Sequence, residues 1–121
     1  MNIKFIFTSL LALAISGSGR ANWIRPQETE VLGTEGKSVN LLCDYGTSSA
    51  GIVDLYWFRQ YPNQALEYIL YRGWGYSGKG EASFATERFD SKSTANATNL
   101  HIKNLVPADT ALYHCALREA R

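Results

Sequence analysis

The sequence lacks an apolar run of the length that crosses a membrane, which takes about 20 residues. The longest run, from Phe5 to Ile15, follows Lys4 and precedes the small residues SGSG, a pattern typical of a secretory signal peptide. We expect residues 1–21 to be this leader, with cleavage after Ala21. Residues 22–121 would then form the mature chain, without a transmembrane segment.

An excess of charge of either sign is also missing. Twelve Lys and Arg residues stand against eleven Asp and Glu residues, for a net charge of +1. The leader contains Lys4 and Arg20 and no acidic residue, so its removal leaves ten basic residues against eleven acidic ones. This balance gives no electrostatic attraction to nucleic acid, and we expect no nucleic-acid partner. The mature length, about 100 residues, predicts a single domain.

Cysteine is scarce, with only Cys43 and Cys115 in the chain. An even count leaves no thiol over, and export to an oxidising compartment makes a disulfide chemically possible. One bridge between the two is the simplest interpretation.

The mature chain alternates like β-strands rather than repeating with the period of a helix. In KSVNLLCDY, Val39, Leu41 and Cys43 fall on one face, and in VDLYWFRQY the same inward parity belongs to Leu55 and Trp57. Clusters of Gly, Asn, Ser and Pro separate these stretches. The pattern predicts an all-β domain.

The opposite parity of three such stretches points apolar and aromatic side chains outward. An exposed patch of this kind usually marks a protein interface. We call the following residues the outward patch: Phe58, Gln60, Leu66, Tyr68 and His114.

A glycine pattern raises the possibility of nucleotide binding. Gly73, Gly75 and Gly78 match G-x-G-x-x-G, but no helical apolar period follows, as a dinucleotide site requires. A phosphate-binding P-loop would need Ser or Thr where Gly80 stands. The stretch is better interpreted as a flexible surface loop.

Metal binding and catalysis are equally poorly supported. His114 and Cys115 are adjacent on a predicted strand and therefore point to opposite faces. A catalytic cysteine would also need a free thiol. We expect no metal site, no cofactor and no enzymatic activity.

A specific set of residues resembles an immunoglobulin variable-type domain, in particular a T-cell receptor alpha or delta variable segment. The set comprises Cys43, Trp57 in WFRQYP, Arg88 in ERF, Asp109 and Tyr113 in ADTALYHC, and Cys115. The resemblance implies a two-sheet Greek-key sandwich in which Trp57 packs on an inter-sheet disulfide. It further implies that Tyr113 anchors a corner through its hydroxyl and that Arg88 and Asp109 form a structural salt bridge.

The resemblance also implies a missing last strand. In the family this strand carries an FGxG-like stretch from a joining segment, and nothing after Cys115 matches it. The chain thus resembles an unrearranged variable segment, and its CAL sequence favours alpha or delta over beta. We expect the strand that carries Cys115 to have an unpaired edge.

Three binding loops follow from the resemblance: residues 45–54, residues 72–81, and a third that begins at Ala116. Their Ser, Gly, Tyr and Trp content suits a ligand-binding surface, with Trp74 and Tyr76 as anchors. The candidate contact residues are Thr47, Ser48, Ser49, Arg72, Trp74, Tyr76, Ser77, Lys79 and Arg118.

By resemblance, the outward patch pairs with a T-cell receptor beta chain, and the loops contact a peptide held by a histocompatibility molecule. Signalling subunits would join only through a constant region outside this chain. The assembled receptor would lie at the cell surface after export through the endoplasmic reticulum, and Asn96 in NAT is a candidate glycosylation site.

Other interpretations of the sequence stay open at this point. The chain could be a delta-chain or light-chain-like variable segment. It could also be a non-rearranging secreted adhesion or inhibitory module.

Overall fold

The computed structural model describes residues 2–9, 22–47 and 51–120. This part of the chain forms ten strands and two short 3-10 helices. The strands are β1 Asn2–Ser9, β2 Trp23–Pro26, β3 Glu30–Thr34, β4 Val39–Gly46, β5 Ile52–Gln60, β6 Glu67–Trp74, β7 Lys79–Glu81, β8 Phe89–Asp90, β9 Ala97–Ile102 and β10 Leu112–Ala120. The 3-10 helices are Ser83–Ala85 and Pro107–Asp109.

The strands form two sheets, and the predicted all-β variable-type sandwich is confirmed. The first sheet has the order β3-β1-β10-β5-β6-β7, and the second has the order β2-β4-β9-β8. Buried apolar side chains from both sheets form one core cluster between them. Each large aliphatic side chain fully buried there contributes about 1.5–3 kcal/mol relative to exposure.

The predicted parity of the core strands is also confirmed. Burial alternates along β4, where Val39, Leu41 and Cys43 are buried and Asn40 and Leu42 are exposed. In β5, Leu55 and Trp57 are fully buried. This alternation follows from the two-residue period of a strand that has one face on a core.

A disulfide joins the two sheets through the core. Cys43 of β4 and Cys115 of β10 are bonded, with their Cα atoms 6.8 Å apart, and the bridge closes a separation of 72 residues. Constraining a loop of this length in the unfolded chain contributes roughly 4 kcal/mol in the chain-entropy model. Trp57 and Tyr113 are fully buried in the same cluster.

The first part of β10, residues 112–115, is paired on both sides, in contrast to the expected open edge. β5 lies antiparallel on one side, and β1 lies parallel on the other, from Ile6 opposite Leu112 to Ser9 opposite Cys115. β1 is also antiparallel to β3. Its sequence NIKFIFTS is rich in β-branched and aromatic residues, which favour strands, and the pairing satisfies backbone groups that β10 would otherwise expose. The leader function of residues 1–21 stays a prediction.

A buried carboxylate organises the turn that leads into β10. Asp109 is 1% exposed, and its two oxygens accept hydrogen bonds of 2.9 Å and 3.0 Å from the guanidinium of Arg88. The Tyr113 hydroxyl donates to the Asp109 carbonyl oxygen at 2.5 Å. Burial is the main cause that raises the pKa of Tyr113, so this hydroxyl stays protonated and keeps its donor role.

Candidate functional site

The first loop is shorter than its sequence interval. β4 continues to Gly46 and β5 begins at Ile52, so the connection is residues 47–51. Thr47 is half-buried, while Ser48 and Ser49 lie outside the described residues. Tyr45 belongs to the core, where its hydroxyl donates to the Thr94 carbonyl oxygen at 2.5 Å and burial raises its pKa to about 12.

The second loop is a hairpin between β6 and β7. It is closed by a 2.8 Å hydrogen bond from the Gly73 amide to the Gly78 carbonyl oxygen. Gly75 has a φ of 92°, which favours glycine at this position. Trp74 and Tyr76 are each 42% exposed, and Ser77 and Lys79 are also exposed.

Arg72, a candidate contact residue of the second loop, lies within β6. It is opposite Leu55, and cross-strand partners share a face, so its side chain has the inward parity. The guanidinium bonds Glu81 of β7 and Asp90 of β8 at 3.1 Å each, and the side chain is only 16% exposed. Arg72 therefore connects the two sheets and does not present its charge on the loop surface.

The third loop begins later than expected. Ala116 and Leu117 are buried residues of β10, which runs to Ala120. Arg118 lies directly opposite Asp54 of β5, and its Nη2 is 3.1 Å from Asp54 Oδ2. The Arg118 side chain remains 46% exposed.

Asp54 connects the second loop to the end of β10, and sequence reasoning missed it. The Tyr76 hydroxyl donates to Asp54 Oδ1, and this bond is the main cause that raises the pKa of Tyr76 to about 12. Asp54 itself is 2% exposed. Its one sequence signal is an acidic residue inside the otherwise apolar and aromatic stretch IVDLYWF, since a buried charge needs partners.

Four residues of the outward patch form two contacting pairs, Phe58 with Tyr68 and His114 with Gln60. The rings of Phe58 and Tyr68 meet edge to face with centroids 6.1 Å apart. His114 Nε2 is 3.3 Å from Gln60 Oε1, and the Gln60 side-chain amide donates to the Gln64 carbonyl oxygen at 3.0 Å.

The fifth member of the outward patch, Leu66, precedes β6. It is 43% exposed, so it adds aliphatic area at the margin of the patch.

His114 is buried although it has the outward parity, opposite Phe58. It is 8% exposed, and this burial lowers the pKa of its imidazole below the ordinary value of 6.5. The imidazole is therefore mainly neutral at pH 7. The neutral His114 ring donates its Nε2 proton to Gln60 Oε1. It therefore adds no charge to a face that carries aromatic side chains.

Two tyrosines extend the outward patch along the sheet. The ring of Tyr56 stacks on those of Tyr71 and Phe58, with centroids 5.4 Å and 6.1 Å away. Tyr56 has the outward parity expected from the sequence. A two-residue period continued from Tyr68 would give Tyr71 the inward parity. The register of β5 and β6 shifts between Trp57 and Phe58, and this shift places Tyr71 opposite Tyr56 on the outer side.

Asn96 lies in the exposed turn before β9. Its side-chain oxygen accepts a 3.2 Å hydrogen bond from the Thr94 hydroxyl. With Tyr45 and Trp74 it lines a cavity of about 330 Å³ beside the first loop. Thr98, the third residue of the glycosylation sequence, is 1% exposed, with its hydroxyl 3.1 Å from that of Ser93.

Among the described residues, no helix has the length and apolar character of a membrane span. Within the same residues, no three His, Cys, Asp or Glu side chains are grouped so that they could hold a metal ion.

Comparison with known proteins gives a consistent result. Residues 26–121 match the immunoglobulin V-set domain. The chain is 34% identical to human T cell receptor alpha variable 3 over 114 residues, which covers 92% of this chain and 95% of that protein. It is also 34% identical to human T cell receptor alpha variable 8-1 over 102 residues, with 81% and 83% covered. Human T cell receptor beta variable 7-2 is 34% identical over 83 residues, with 68% and 69% covered.

Proposed function

Since this chain belongs to the immunoglobulin V-set family, as a variable domain of the antigen-receptor type, we propose that it is the antigen-recognition domain of a T-cell receptor alpha chain. Domains of this kind bind ligands and are not enzymes. The alpha assignment is supported by two alpha relatives that cover 92% and 81% of the chain, against 68% for the beta relative.

Pairing with a beta chain is the first part of the proposal. The observation that carries it is the row of aromatic rings on the outer side of β5 and β6, formed by Tyr71, Tyr56, Phe58 and Tyr68. Interface cores are enriched in such side chains and depleted in charge. The neutral His114 and its Gln60 partner supply polar groups within the same surface.

Ligand recognition by the loops is the second part. Trp74, Tyr76, Ser77 and Lys79 are exposed on the second loop, and Arg118 is exposed near the end of β10. Aromatic side chains give a large contact area at a low entropy cost, while Ser and Gly adapt to the partner. The proposed ligand is a peptide held by a histocompatibility molecule.

The third part concerns the cellular context. Residues 1–21 direct export through the endoplasmic reticulum, Asn96 receives a glycan, and the assembled receptor works at the cell surface. Signalling subunits associate through a constant region outside this sequence.

A charge placed in the outward patch tests the pairing. We expect Phe58→Glu, in a receptor chain that contains this domain, to abolish assembly with a T-cell receptor beta chain, because the glutamate would be buried without a partner. Co-precipitation of the two chains from cells measures it. The matched control is Leu42→Glu, the same kind of change on the exposed outer side of the second sheet, at a residue that is 37% exposed. The proposal would be contradicted if the Phe58→Glu chain still assembled with the beta chain. It would also be contradicted if Leu42→Glu abolished assembly to the same extent.

A further inference from the structure

Asp54 occupies the position where the second loop meets the end of β10. In the sheet register it lies between Gly73 of β6 and Arg118 of β10. Because cross-strand partners share a face, all three residues are on the outer side of the first sheet. The carboxylate therefore stands at the base of the second loop, beside the end of β10.

Each oxygen of this carboxylate has a partner from a different element, the second loop or strand β10. Oδ1 accepts a hydrogen bond from the Tyr76 hydroxyl, and Oδ2 accepts one from Arg118 Nη2 at 3.1 Å. The Asp54 side chain is 3% exposed, so its charge depends on these partners in place of water. A ligand has almost no access to the carboxylate itself.

The glycine pattern of the second loop makes the Tyr76 contact possible. A Cβ atom at Gly73 or at Gly78 would come within 3.0 Å of the Tyr76 ring or hydroxyl. The ring thus lies across two glycines to bring its hydroxyl to Asp54. This packing accounts for two of the three glycines in the stretch that resembles a nucleotide motif.

Arg118 is held on a second side as well. Its guanidinium carbon lies 5.5 Å from the centre of the Tyr56 ring, within the range of a cation–π contact. Tyr76 and Arg118 keep 42% and 46% exposure, respectively, while one end of each is fixed. Groups that are fixed before binding lose less conformational entropy when a ligand arrives.

From this geometry we propose that Asp54 is a positioning residue of the binding surface, which holds the second loop and the end of β10 in one fixed arrangement without contacting the ligand. That this surface binds a ligand rests on the proposed function. The linkage between the second loop and β10 is testable without a ligand.

The reporter is the Gly73 amide, which donates to Gly78 and closes the hairpin. In the 121-residue chain we expect Tyr76→Phe to speed hydrogen exchange at this amide roughly tenfold, since a hydrogen bond to a charged group is lost. Tyr76→Phe keeps the Asp54–Arg118 ion pair, so we expect this variant to fold. It therefore serves as the test if Asp54→Asn destabilises the fold. Tyr71→Phe removes a hydroxyl from the same face and is the control, with exchange at Gly73 unchanged.

The coupling between the second loop and β10 is tested with Arg118→Gln. We expect this change in β10 to alter exchange at Gly73 in the parent chain and to have no effect in the Asp54→Asn background. The NMR titration of the Tyr76 ring gives a second readout, in which the pKa falls from about 12 toward 10 in Asp54→Asn.

Equal effects of Arg118→Gln in both backgrounds, or an unchanged Tyr76 titration in Asp54→Asn, would overturn the proposal. Failed assembly with a beta chain would overturn the proposed function and leave this result standing.

Discussion

Two nearly fully buried carboxylates, Asp109 and Asp54, lie toward opposite ends of β10. Each faces an arginine, Arg88 in the first case and Arg118 in the second. The first pair also supports the buried Tyr113 corner, whereas the second pair supports exposed loop residues. The same chemistry therefore stabilises the fold at one end and, in our proposal, organises the binding surface at the other.

The role of Asp109 predicts a large loss of stability on truncation. We expect Asp109→Ala to lower the free energy of unfolding by about 3 kcal/mol, because Arg88 and the Val106 amide lose their partner. Urea denaturation of the 121-residue chain measures the change. Asp44→Ala, which removes one exposed hydrogen bond from Gln27, is the control and should cost about 0.5 kcal/mol or less. Equal losses in the two variants would show that the buried pair has no special role.

The buried His114 predicts a pH dependence of stability. Its pKa is lower in the folded chain than the ordinary 6.5, so the unfolded chain binds more protons below about pH 6.5. The contribution of neutral His114 to the free energy of unfolding is therefore present above pH 6.5. It is lost as the pH falls below that value. We expect the unfolding free energy of the parent chain to fall more between pH 7 and pH 5 than that of His114→Phe. Parallel pH profiles for the two chains would contradict this.

At the scale of elements, strand β1 occupies an edge that the sequence led us to expect open. Its backbone pairs with both β10 and β3, and net contributions of about 1 kcal/mol per hydrogen bond make this pairing significant for a small domain. Removal of residues 1–21 would therefore expose two strand edges.

This exposure predicts the behaviour of the shortened chain. We expect residues 22–121 alone to aggregate or to exchange the amides of residues 110–116 much faster than the full chain does. The amides of β9, an interior strand of the other sheet, serve as the internal control. Strong protection of residues 110–116 in a monomeric 22–121 chain would contradict the prediction.

The strands that were predicted well share one physical feature. In β4, the alternation of Val39, Leu41 and Cys43 with polar or exposed neighbours is a local pattern, and a strand with one buried face must show it. The resemblance of spaced residues such as Trp57 and Tyr113 then supplied the two-sheet arrangement. Both signals can be read from the sequence, because they depend on neighbouring residues or on residues at a characteristic spacing.

The contacts that were missed depend on strand register. Asp54 meets Tyr76 and Arg118, which are 22 and 64 residues away in the chain. No local pattern states which residues will face each other across strands. The same reason applies to Arg72, which the sequence placed in a loop and the register turns inward toward Asp90.

At the scale of the whole molecule, the candidate functions occupy separate surfaces. The binding loops lie at the end where Asp54 faces Arg118, and the Arg88–Asp109 pair lies toward the other end of β10. The outward patch lies on the outer side of β5, β6 and β10, between these ends. A substitution in the outward patch should therefore weaken partner assembly more than it alters the fold or the loops.

Pairing through this face is the central claim, and a photo-crosslink tests it most directly. The crosslinking amino acid p-benzoylphenylalanine would replace Tyr68 in the outward patch or, as the control, the exposed Leu42 of the second sheet. Both chains would be co-expressed with a T-cell receptor beta chain and irradiated in cells. We expect a covalent complex of the two receptor chains from position 68 and none from position 42. A complex formed from position 42 and absent from position 68 would contradict the account.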